Sequence, residues 1–181
     1  MLAAALLAAC AATEGGGGPA APIPPASGPE ALAARLPAEA AGLRRGSDTA
    51  LSDPLPGREV AYATANRQAA AFVQVLRPAA PLPDGPASAA AQAEYARWKD
   101  AATGQASRNR RLAVVREAEV AGLFRCAMLE GSYGRQPVES TVCVGAAGGQ
   151  LLRLRVSMPR REPAAADAQA FVREVAAALR R

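Results

Sequence analysis

Apolar positions along the chain fall into short runs of two periods. Glu59 to Thr64 places Val60, Tyr62 and Thr64 on one face, Ala65-Asn66-Arg67-Gln68 is polar, and Ala70 to Leu76 continues with Phe72, Val73, Val75 and Leu76. Period-two alternation on both sides of a polar turn predicts a hairpin. Pro78, Pro81, Pro83 and Pro86 then break regular structure, and Ala91, Tyr95, Trp98 and Ala102 recur at helical spacing up to Gly104. This predicts a helix from about Pro86 to Thr103. From Leu112 to Met128 the even positions carry Leu112, Val114, Ala118, Val120, Phe124, Cys126 and Met128, with Arg116 and Gly122 as interruptions. That pattern predicts one long strand, or two collinear ones with a bulge or kink at Gly122. Val138 to Val144 and Gln150 to Met158 flank the Gly145–Gly149 segment as a second hairpin. In its last strand Leu152, Leu154 and Val156 oppose Arg153, Arg155 and Ser157, which predicts one buried and one solvated face. With Pro163 near its start and Asp167 in its early turns, the stripe Ala168, Phe171, Val172, Val175 and Leu179 predicts a C-terminal helix, with Arg180 and Arg181 favourably placed at its end.

Consecutive strands with one helix inserted and one appended predict an α+β fold. The expected architecture is an antiparallel sheet of about five strands, with the mid-chain helix and the C-terminal helix packed on one face. This element order resembles small periplasmic domains of the PsbP/Mog1-like type. The domain is expected to occupy residues 36–181, with a short helical turn at Leu32 to Leu36 before it.

At the other end, Leu2 to Ala9 is an unbroken apolar run of eight residues. A bilayer span needs about 20 residues, whereas a signal-peptide h-region is this short. The run ends in Leu7-Ala8-Ala9-Cys10, which resembles the lipobox of bacterial lipoproteins. The resemblance implies a signal peptide over residues 1–9, cleavage before Cys10, and acylation of the Cys10 thiol. Two or more acyl chains hold a protein stably on a membrane. Ala11 stands where Asp retains some lipoproteins in the inner membrane, so the outer membrane is favoured. The h-region lacks the usual preceding basic residues, which predicts a translation start a few codons upstream of Met1. Residues 11–29, with Gly15 to Gly18 and five Pro, cannot bury a core and read as part of a flexible tether spanning residues 10–35.

Composition narrows the chemistry. The 181 residues include 48 Ala, 20 Arg, one Lys and no His, with a net charge of +5. Without His, Ser-His-Asp and Cys-His catalysis are excluded, and Ala96 precedes Lys99 where a Ser-x-x-Lys device needs Ser. Gly131-Ser132-Tyr133-Gly134 lacks nucleophile-elbow spacing and reads as a turn. There is no Cys-x-x-Cys, so no metal or cofactor is expected, and Glu117 and Glu119 read as a solvent-facing pair. Arg44-Arg45, Arg108-Arg110-Arg111, Arg153-Arg155, Arg160-Arg161 and Arg180-Arg181 spread the basicity over many surfaces. Nucleic acid is not an expected partner of an exported protein; anionic lipid or cell-wall polymer is the sharper hypothesis for the charge. Tyr95 and Trp98 read as the helix's hydrophobic anchor, with a ligand-stacking pair as the alternative.

With Cys10 acylated, Cys126 and Cys143 form an even pair in an oxidising compartment. Alternation groups Cys126 with Phe124 and Met128, but Cys143 with Glu139 and Thr141, so a disulfide and two reduced thiols both stay open. The function expected is a lipid-anchored envelope lipoprotein with a non-catalytic binding or structural role facing the periplasm. The alternatives are an enzyme or accessory factor acting on envelope polymers through a cleft with two perturbed carboxylates, or a subunit of an envelope complex.

Overall fold

The computed structural model describes residues 28–104 and 110–181. The lipobox with Cys10, most of the tether, and Arg108 lie outside the described residues. Pro29–Arg35 form helix α1, followed by strands β1 (Glu39–Ala40), β2 (Leu43–Leu51), β3 (Gly57–Ala63) and β4 (Ala70–Leu76). Helix α2 (Ala89–Gly104) leads into β5 (Arg110–Val120), β6 (Phe124–Tyr133), β7 (Gln136–Ala147) and β8 (Gln150–Pro159), and α3 (Ala168–Leu179) follows. The strands make one antiparallel sheet of order β1-β2-β3-β4-β8-β7-β6-β5. Two four-stranded meanders thus meet at a single seam, where β4 pairs with β8. The sheet curls into a half-barrel around α3, which touches both edge strands, β1 and β5.

This corrects the expected fold in two respects. The sheet has eight strands rather than about five, and strands dominate the architecture. Part of the difference lies at Gly122, read as a kink within collinear strands. Ala121 and Gly122 both have positive φ, 52° and 57°, and Leu123 N donates to the Val120 carbonyl at 3.2 Å. Two successive left-handed residues make the tight turn whose twist suits a hairpin, so β5 folds back on β6. The true bulge is at Val115, where the β5–β6 register shifts between Val114 and Arg116. The folded unit also reaches further towards the N-terminus than residue 36, because α1 buries Leu32, Ala33 and Leu36 in the core.

The second correction concerns the helices, which lie on opposite faces. On the concave side, α1 and α3 cover Leu43, Val60, Tyr62, Val73, Phe124, Leu152, Leu154 and Val156. Phe171 meets Tyr62 edge to face with ring centroids 5.1 Å apart. On the other side α2 places Tyr95, Trp98 and Ala102 against Leu76, Leu129, Val142, Val144 and Leu151. The face of β8 predicted to be solvated therefore lies partly under α2, and Arg153 is only 8% exposed. Gly145 permits the close packing of β7 on the β5–β6 turn, since a Cβ there would collide with the Leu123 carbonyl.

Burial on both faces also explains the cysteines. Cys126 and Cys143 are directly opposed on β6 and β7, with Cα atoms 4.1 Å apart, and are disulfide-bonded. Residues opposed across strands share a face. Glu139 and Thr141 thus stand on the concave face with Met128, while Val142 and Val144 belong to the α2 side. Polarity misassigned the face because both sides of β7 carry apolar residues.

Candidate functional site

The concave face is not filled to its end. Between β5–β8 and the start of α3 lies an open cavity of about 570 Å³, within the range of roughly 300–1,000 Å³ usual for ligand sites. Met128, Val156, Met158, Ala166 and Ala168 give it an apolar wall, and Val115, pushed out by the bulge and 56% exposed, stands at its edge. Arg116, Glu130, Glu139 and Asp167 supply the charge. The α3 wall is fixed by Asp167, whose Oδ1 accepts from Ala170 N at 2.9 Å. Such a cap satisfies a helix N–H that would otherwise lack a partner.

Glu130 and Glu139 face each other across β6 and β7. Arg160 Nη1 lies 2.8 Å from Glu130 Oε2 and holds that carboxylate at the rim. The Glu139 carboxyl is raised above its ordinary range, first by burial and then by the negative charge of Glu130. A carboxyl in that state donates a hydrogen bond when protonated and accepts when ionised. Ser140, also in the wall, is engaged: its Oγ lies 3.0 Å from the Val156 carbonyl and 2.8 Å from Ser157 Oγ. No protein-family model and no curated protein matches this chain.

Other predicted positions are elsewhere. Glu117 does not simply face solvent: Lys99 Nζ is 2.8 Å and Arg125 Nη2 3.3 Å from its carboxylate. Lys99 is the main cause of its lowered pKa. Tyr95, beneath these cations, is pushed up to about 12, first by burial and then by Glu117. Ser132 stays in β6, ahead of the turn at Gly134. Among the described residues no group of three or more His, Cys, Asp or Glu is placed to hold a metal, and no helix is long and apolar enough to cross a membrane.

Sequence reasoning missed Glu130, Glu139, Arg116 and Glu94. Glu139 had a signal, since it shares its strand face with Cys143. Glu94 had none: only the packing of α2 buries it to 1% exposure, ion-paired with Arg97 and Arg153.

Proposed function

We propose that this chain is a lipid-anchored envelope lipoprotein, held by acyl chains on Cys10, whose periplasm-facing domain binds a largely apolar molecule in the cavity beneath α3. The observation that carries the binding role is that cavity, with its Met, Val and Ala wall and a single perturbed carboxyl at its polar side. The anchor rests on the run Leu2 to Ala9 and the residues Leu7-Ala8-Ala9-Cys10. An apolar wall rewards burial of a ligand's hydrocarbon surface at about 25 cal/mol per Å², while Glu139 orients its head group.

The test has two arms. Labelled palmitate is expected to enter the parent chain and not Cys10→Ser, which moves from the membrane to the soluble fraction; equal labelling of both overturns the anchor. In the second arm N-phenyl-1-naphthylamine is expected to bind saturably, and Ala166→Phe, which fills the cavity from its loop side, weakens it about tenfold or more, equivalent to about 1.4 kcal/mol. Unchanged affinity in that variant overturns the cavity as the binding site.

One observation favours a second reading, hydrolysis of an envelope polymer. Two carboxyls in a cleft, one of them raised, are the groups that acid–base cleavage of a glycosidic bond requires. Release of glycan fragments by the parent and not by Glu139→Gln would establish it, and no release by the parent dismisses it.

A further inference from the structure

A second cavity, of about 320 Å³, lies on the opposite face of the sheet beside α2. Its floor is a polar band running across three strands. Gln74 pairs with Glu59 on one side and with Arg153 on the other, and Phe72 is opposite Arg155. Gln74 Nε2 donates to Glu59 Oε2 at 2.7 Å, and Arg153 Nη1 donates to Gln74 Oε1 at 3.4 Å. Arg153 is also ion-paired with the buried Glu94, and its guanidinium lies 4.9 Å from the centre of the Trp98 ring. The side walls are aromatic: Trp98 from α2, with Phe72 and Tyr133, 41% and 50% exposed, on the sheet.

Two residues that line the cavity also carry donors closed to solvent and without a hydrogen-bond partner among the described residues, Trp98 Nε1 and Arg153 Nε. Both atoms are enclosed and do not face the cavity; what the cavity offers a ligand is the aromatic surface of Phe72 and Tyr133 and the polar groups of Arg155, Gln74 and Glu59. We propose that this cavity binds a ring-bodied, hydroxyl-bearing carboxylate, that is, an acidic sugar unit. The aromatic walls suit the flat apolar faces of a ring. Arginine is the side chain best matched to a carboxylate, and Glu59, Gln74 and Ser157 offer partners for ring hydroxyls. The volume is near the lower end of the range of roughly 300–1,000 Å³ for ligand sites, which fits a single unit rather than a long chain. This site is independent of the apolar cavity beneath α3.

Trp98 is the one Trp of the chain and reports directly on the site. The full chain is titrated with D-glucuronate, N-acetylmuramate, glucose, inorganic phosphate and phosphatidylglycerol vesicles, following Trp98 emission. Saturable change with the two acidic sugars is expected, with glucose and phosphate at least about tenfold weaker. Phe72→Ser, at an exposed position, is expected to weaken both sugars about fivefold or more without moving the thermal midpoint; by the standard relation this is about 1 kcal/mol. The proposal is overturned if neither sugar gives a saturable change up to about 50 mM, far above a dissociation constant of about 1 mM. It is equally overturned if glucose or phosphate matches the acidic sugars, if Phe72→Ser binds like the parent, or if only the vesicles alter the emission.

Discussion

Glu139 shows how a strand position acquires chemistry. Its strand face carries Cys143 at one end and opens into the cavity at the other, where burial and Glu130 raise its pKa. An acid whose pKa is higher folded than unfolded binds more protons in the folded state over that interval. Stability therefore falls as pH rises from the unfolded value, about 4.3, through the folded one. Glu139→Gln is expected to raise the urea midpoint at pH 7, well above the unfolded value, and to change it much less at pH 4. A parent and variant with parallel pH profiles would remove the perturbed carboxyl from the account. The sequence marks this residue as a charged position in a predicted strand, but not as facing Glu130, since that depends on the register of β6 and β7.

At the scale of elements, the clearest signals were periodic and local. The C-terminal helix was readable from one apolar stripe, although α3 starts after Asp167, which caps it, and not near Pro163. Asp167→Ala is expected to cost about 1 kcal/mol through the lost cap, measured by chemical denaturation, and to weaken dye binding because the same residue lines the cavity. The hairpin of β3 and β4 and that of β7 and β8 were readable from alternation around turn residues. The β5–β6 hairpin was not, for two compensating reasons. Its turn places an Ala at a positive φ, a conformation for which sequence offers little warning. The bulge at Val115 moves Leu112 and Val114 to the α2 side while Ala118 and Val120 stay on the concave side, so the even-numbered alternation, interrupted only at Arg116 and Gly122, spans a change of face.

For the whole molecule, α3 is the element that joins the two meanders. It packs inside the half-barrel and touches both edges, and Glu174 Oε2 accepts from Ala41 N at 3.2 Å next to β1. Phe171, fully buried against Tyr62, is the centre of that contact. Phe171→Ala is expected to cost about 3–5 kcal/mol and to destabilise both meanders together in hydrogen exchange. Loss confined to one meander would show that the β4–β8 seam, not α3, couples them.

Period, turn residues and caps act over a few neighbouring positions, so the chain's order of residues was enough to determine both helices of any length, two hairpins and the antiparallel character of the sheet. Which side of the sheet each helix covers, how many strands share it, and where Arg153, Glu94 and Glu139 are enclosed were decided only when distant segments packed. The physical reason is that burial belongs to pairs of surfaces: an Arg on an alternating strand looks solvated until a helix from elsewhere in the chain is laid over it.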